Sequence, residues 1–286
     1  MNRLIKAELL KLTKNKVFRV LCGACIILAF MSIFAASDIM TGIMEEAMSA
    51  MSDEQQAQMI EQLAMANNEV VVTGRIGFSL PKSNSPIDIY YVSFGVGVIE
   101  ILIGILVGGF LAKEYTEGTM KNILAYGKSR NKFYLSKFLA MVIGVVIFTL
   151  ILTLVAFLGT GIMNGFSGIE LSQIGGMVVT FLSSVMASAA VISLMMIIGT
   201  LVKGNGATIG ISVVLFVLVP TIIGVFYGTN STFDAIYEMT PYYNNALAIS
   251  QNAEISDILR SMGVSIVTIL SGLFIGSRIF NKQDIK

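Results

Sequence analysis

The sequence predicts an all-α membrane protein with six transmembrane helices. Three observations carry that expectation. Hydrophobic residues make up 55% of the 286 residues, charged residues only 13%, and the mean hydropathy is +0.80, whereas a water-facing domain carries about a quarter charged residues. The apolar residues come in runs near the ~20 residues needed to cross the hydrocarbon core. Basic residues cluster in alternate connecting segments, as the positive-inside rule requires of a multi-pass chain.

Residues 1–19 form a basic leader with six Lys/Arg and a single acid, Glu8. At helical spacing Ile5, Leu9 and Leu12 share one side, with Arg3, Lys6 and Lys14 across from them. The pattern predicts an amphipathic interfacial helix, with Arg3, Lys6, Lys11 and Lys14 near anionic headgroups; the bland reading is a solvated leader that only sets topology. The first span is expected over 20–37. A basic start before an apolar stretch also resembles a secretory signal, with Phe34-Ala35-Ala36-Ser37 as its cleavage region; the long leader favours a retained span. Cys22 and Cys25 lie inside this run and lack the further ligands of a zinc site, so they read as packing residues.

Residues 38–88 form a sizeable external loop with eight acids and two bases. Its first part is rich in Met, Ala, Glu and Gln, which favour helix. Its later part, Glu69–Ser85, has the Val70-Val71-Val72 run, Gly74, Gly77 and Pro81, and reads as extended or hairpin-like. The loop is a gate or cap, or else an inert lid. The second span, 90–112, contains Glu100, the one charge placed within a span, ~18 Å of helix from the inner end. An intramembrane carboxylate is a functional hypothesis by default; it serves the translocation path or gating, or a structural hydrogen bond. Gly104 and Gly108 form G-x-x-x-G in this span, a spacing that permits close helix approach.

Residues 113–137 carry six Lys/Arg against Glu114 and Glu117, with Leu, Ile and Met at helical intervals. A loop that merely reversed the chain could be four residues long. A helix-forming loop of this length suggests a docking surface, against the plainer reading of a solvated basic loop. Gly127-Lys128-Ser129 imitates the end of a P-loop, but position 122 is Asn where the pattern needs Gly, and no parallel strand precedes it. Nucleotide binding by this chain is excluded on that basis. The remaining spans are expected over 138–160, 174–202, 207–227 and 262–280. Glycines between Gly159 and Gly168 mark the turn between the third and fourth, Lys203–Gly206 the next, and Pro220 kinks the fifth span or lies near its outer end.

Segments 1–19, 113–137, 203 and 278–286 hold 16 of the 19 basic residues, and the alternate segments hold 13 of the 18 acids. This places both termini in the cytoplasm. All nine tyrosines fall at run ends or in loops, where amphipathic rings sit at the interface. Histidine is absent and the net charge is only +1. That removes histidine-based triads and most zinc or copper chemistry, and leaves no case for a nucleic-acid partner, a catalytic residue or a metal site.

The basic loop is where a family resemblance enters. Glu114, Glu117, Gly118 and Thr119, followed by Leu124, Arg130 and Lys137, resemble the motif that follows the second span in permease subunits of type-2 ABC transporters. The basic amphipathic start resembles that family's elbow helix, and Leu194–Leu218 resembles its fourth and fifth spans. The resemblance implies a single transmembrane domain over 1–286, with 1–19 as elbow and 113–137 as a cytoplasmic loop containing the coupling helix. Glu114, Glu117, Gly118, Thr119, Lys121, Arg130 and Lys132 are the residues it assigns to ATPase coupling. It implies a second permease subunit, as homodimer or heterodimer, and a separate ABC ATPase that holds ATP and Mg; this chain needs no cofactor. The similar small permeases are bacterial cell-membrane proteins that handle bacitracin-like compounds, lantibiotics and amphipathic peptide toxins. The implied activity is therefore ATP-driven export of a hydrophobic or amphipathic peptide. Export of a drug or lipid, or ion-coupled secondary transport, are the alternatives; the latter normally shows more intramembrane charge and inverted repeats.

Overall fold

The computed structural model describes residues 1–35, 37–60, 84–95, 97–120, 129–166, 168–219, 222–223, 226–249 and 253–283. Regular structure among them is entirely helical. Helix α1 (Asn2–Lys14) is separated from α2 (Lys16–Ala35) by Asn15, whose backbone is extended. The Asn15 side chain fixes this corner: its Oδ1 accepts from the Val17 N–H at 2.8 Å, and its Nδ2 donates to the Gly109 carbonyl at 3.1 Å. Ser37 caps α3 (Asp38–Ser49) by accepting from the Met40 N–H, and a short helix, α4, covers 53–60. Of the extended section expected over Glu69–Ser85, all but Asn84 and Ser85 lies outside the described residues, as do Lys121, Leu124, Lys128 and Pro220.

Ser85 and Pro86 start α5 (Pro86–Val92) in the usual capping order. The chain then breaks at Gly95 and Gly97, with φ of 54° and 84°, a region that favours glycine. It resumes as α6 (Val98–Val107), continues through a π-helical turn over Gly108–Ala112, and ends in α7 (Lys113–Thr116). Helix α8 (Arg130–Asn164) begins within the stretch read as the basic loop. Gly159 and Gly161, expected in a turn, stay helical; a Cβ at Gly159 would collide with Ile33 of α2, and one at Gly161 with the Phe166 ring. The turn falls at Gly165 and Gly168, the later of the glycines expected there, with φ of 87° and 81°.

Helix α9 (Leu171–Val202) opens with a reciprocal Glu170–Gln173 capping box and closes at Lys203, whose φ is 56°. Next come α10 (Asn205–Val213) and a π-helical turn over Val214–Leu218. Two short helices unforeseen in the sequence follow, α11 (Ser231–Glu238) capped by Asn230 and α12 (Pro241–Ala248) capped by Thr240. The last helix is α13 (Ile255–Lys282).

Among the described residues four helices, α2, α8, α9 and α13, are long and apolar enough to cross a membrane. The chain expected to form the second span is helical but breaks at Gly95 and Gly97, and that expected to form the fifth is helical over 205–219 with a π-helical turn inside it. Helix α2 lies along α8, α9 lies along α13, and α6 packs against α8, α9 and α10. Small residues make the close seams. Gly272 of α13 abuts Ser193 of α9, and the hydroxyls of Ser183 and Ser261 meet at 3.2 Å across the same pair. Gly104 sits against Ser212, and Gly108 against Ile209 and Asn205, so the G-x-x-x-G pair packs within the chain.

Side-chain contacts define two poles. At one, α1, α7, the start of α8 and the ends of α9 and α13 meet. At the other, Asn164 reaches the Asn84 carbonyl, Tyr90 bonds the Met177 carbonyl at 2.7 Å, and Arg260 pairs with Glu238.

Candidate functional site

The α1 pole is built on a quartet of alternating charge, with Glu8 and Lys137 buried, Glu114 half-buried and Lys11 at its open edge. Glu8 and Lys11 come from successive turns of α1, Glu114 from α7 and Lys137 from the second turn of α8. Lys137 Nζ lies 2.7 Å from Glu8 Oε2 and 2.9 Å from Glu114 Oε1; Lys11 Nζ lies 2.8 Å from Glu8 Oε1 and 3.1 Å from the same Glu114 oxygen. The side chain of Lys137 is 0% exposed, that of Glu8 2% and that of Glu114 12%. The Phe110 ring sits 4.2 Å from the Lys137 ammonium, with Phe133 at 5.3 Å, so aromatic faces supply part of its lost hydration.

The local reason for this placement is the periodicity of α1. Its buried positions are Glu8 and Leu12, one turn apart, so the side turned onto α8 carries one carboxylate in an apolar stripe. A lone carboxylate there would be costly. Burial pushes the Glu8 carboxyl up, but the Lys137 charge and the hydrogen bonds from Lys11 and Lys137 outweigh it and hold the group below its ordinary 4.5. Burial pulls Lys11 down, and the Glu8 hydrogen bond with the Glu114 charge more than restores it, so it stays above 10.5. The quartet sums to zero and joins three elements far apart in sequence.

The other sequence-predicted residues distribute around it. Glu117 is exposed and pairs with Lys113 at 3.4 Å. Gly118 turns the chain with φ of 65°, and the Thr119 hydroxyl lies 3.5 Å from the Glu114 carbonyl. Arg130 donates from Nη1 to the carbonyls of Asn281 at 3.0 Å and Gln283 at 2.8 Å, closing the C-terminal end of α13. Lys132, Arg3, Lys6 and Lys14 are exposed; Lys121 lies outside the described residues. Lys137 and Glu8 were not among the predicted site residues, although Glu8 is the single acid of the leader and Lys137 ends the loop motif.

Glu100 sits apart from this pole, in the first turn of α6 beyond the Gly97 break, and is 4% exposed. Asn245 of α12 and the Gly97 backbone hydrogen-bond its carboxyl. Among the described residues its Oε2 has no partner, and neither have the buried hydroxyl of Tyr242 and the Oδ1 of Asn245. The short helix α12 packs on α9 and α13, so a carboxylate inside the bundle is tied to a helix the apolar pattern does not predict. Among the described residues no cluster of His, Cys, Asp and Glu could hold a metal ion.

Residues 4–219 match the family model described as ABC-2 family transporter protein. No curated protein matches the sequence. The chain belongs to the ABC-2 family, and is accordingly a multi-pass permease subunit of an ABC transporter, the kind of subunit that works with a separate ABC ATPase.

Proposed function

We propose that this permease exports a hydrophobic or amphipathic substrate, a peptide such as an antimicrobial or toxin, with ATP and Mg held by the partner ATPase. Two permease subunits, identical or related, would line the path. Each would cross the membrane six times, the interrupted helices α5–α6 and α10 supplying the second and fifth crossings, with both termini in the cytoplasm of a bacterial cell. The α1 pole would be the cytoplasmic one. The segments read as basic and cytoplasmic, 1–19, 113–137 and 278–286, have their described parts at that pole.

The observation that carries the coupling role is the quartet. It joins α1, α7 and α8, so a push on the segment between α7 and α8 reaches the elbow helix and a 35-residue helix together. Glu117, Gly118, Thr119, Lys121, Arg130 and Lys132 would be the docking residues on the loop, and Glu114 its inner anchor. Exchange between two such arrangements is how a clamp of two ATPases exposes a path alternately to the two sides. At the opposite pole Glu100 would act in gating, through the α12 helix it holds. Family membership sets the ion-coupled alternative aside.

The test is ATP turnover by the purified permease–ATPase complex in liposomes. With Glu117→Ala and Gly118→Ala together, turnover should collapse while the ATPase still binds nucleotide; unchanged turnover would remove the coupling assignment. For the cargo, cells expressing the complex should tolerate bacitracin-like and lantibiotic peptides better than cells with the inactive complex. Protection against small apolar dyes alone would give the drug or lipid alternative.

A further inference from the structure

The α1 pole also contains an open cleft of about 870 Å³, lined by α1, the start of α2, the π-helical turn and α7. We infer that this cleft is a binding site for one anionic phospholipid, its phosphate between Lys14 and Lys16 and an acyl chain against Leu10 and Val17. The inference goes beyond the coupling role and stands without it.

The charges lining the cleft decide the sign of its ligand. Four lysines, Lys11, Lys14, Lys16 and Lys113, face two carboxylates, Glu114 and Glu117. Lys11 is engaged by Glu8 and Glu114, and Lys113 by Glu117. Lys14 and Lys16 have no carboxylate partner among the described residues and are exposed on either side of Asn15. The cleft therefore presents two uncompensated ammonium groups.

The rest of the lining decides the class. Leu10 is 60% exposed while Leu12 of the same helix is buried, and Leu10 with the half-buried Val17 gives the cleft an apolar surface. A soluble anion would use the lysines and leave that surface wet; a phospholipid uses both. Depth agrees as well. Lys16 is the first residue of α2, a helix apolar enough to span, which puts Lys14 and Lys16 at headgroup level in whichever leaflet this pole faces.

The experiment is native mass spectrometry of the full-length chain in mild detergent, titrated with phosphatidylglycerol or with phosphatidylcholine of the same acyl chains. One phosphatidylglycerol should be retained per chain, and phosphatidylcholine should not. Each lysine near a headgroup contributes about fivefold in affinity, so Lys14→Gln with Lys16→Gln should weaken retention about 25-fold. Arg278→Gln with Lys282→Gln removes the same charge from the end of α13, outside the cleft, and should leave retention unchanged. Equal loss in both double variants, or loss in neither, overturns the site. Displacement of the bound lipid by inorganic phosphate would make it a soluble-anion site, and displacement by the partner ATPase a protein seat; either result also overturns it.

Discussion

Replacing Lys137 by methionine tests the quartet directly, because methionine keeps much of the side-chain volume and removes only the ammonium. In the wild-type chain two carboxylates face two ammonium groups. In Lys137→Met, Glu8 and Glu114 share Lys11 alone, at 2.8 and 3.1 Å. Removing one partner of a buried ion pair costs about 3–5 kcal/mol, mostly because a charge is left uncompensated. Lys11 is 39% exposed, so water reaches that side, and the expected loss is near the lower bound, about 3 kcal/mol. Adding Glu8→Gln removes the surplus carboxylate and leaves Lys11 with Glu114 as a neutral pair. The double variant should recover to within about 1 kcal/mol of wild type, a gain of roughly 2 kcal/mol over Lys137→Met, whereas independent sites would simply add their losses. Reversible unfolding in mixed detergent micelles, for the wild type, both single variants and the double variant, measures it. Additive losses, or a neutral Lys137→Met, would refute the claim that these charges stabilise one another.

The remaining expectations follow from the same contacts. Gly276→Ala places a methyl group against the Tyr134 hydroxyl, and Tyr134 is only 2% exposed; overpacking should cost about 1–3 kcal/mol, and Tyr134→Phe in the same chain should return part of it in the same unfolding assay. Glu100→Gln keeps a partner for Asn245 and should fold nearly as stably as wild type, whereas Glu100→Leu orphans Asn245 at a cost of about 1–3 kcal/mol. The pH profile has two edges. Glu8 is depressed when folded, so its contribution is complete above 4.5 and is lost as pH falls through its lower folded value; Lys11 is raised, so its contribution is complete below 10.5 and is lost as pH rises beyond it. Between those limits Glu8 and Lys11 contribute no slope, and in Lys137→Met the acid edge should move to higher pH as Glu8 loses its nearest cation.

The long apolar helices were legible because length and hydropathy are local properties, and α2, α8, α9 and α13 lie where the runs are. The broken segments were not. A glycine in an apolar run permits either a bend or a close approach, and this chain uses both: Gly95 and Gly97 bend it, while Gly104, Gly108 and Gly159 let neighbouring helices touch. Only the packing partner distinguishes the two. Helices α11 and α12 did leave a trace, since Asn230 and the Thr240-Pro241 pair are ordinary helix starts, but the preceding apolar run masked it. The site was half legible. Glu114 stands out beside its motif, yet the direction of its carboxylate depends on Lys137, 23 residues on, and on Lys11, 103 residues back. No local pattern fixes a pairing of that range.

The arrangement of charge bears on why a buried ion cluster is kept where apolar residues would pack at no electrostatic cost. Glu8 and Lys11 both belong to α1 and form an i,i+3 pair of their own, while Glu114 and Lys137 belong to the other side and lie 2.9 Å apart. If α1 separates from α7 and α8, two neutral pairs part company and no charge is left alone. Any other division leaves one carboxylate or one ammonium unpaired: Lys137 parted from both acids, or Glu114 from both lysines, would bear the full desolvation penalty. The quartet therefore holds three elements together in one state and makes one separation, that of α1, far less costly than the rest. An apolar seam would resist every direction alike. In the proposed coupling role, motion from a separate ATPase would need the directional kind of joint, and four side chains on three elements would build it.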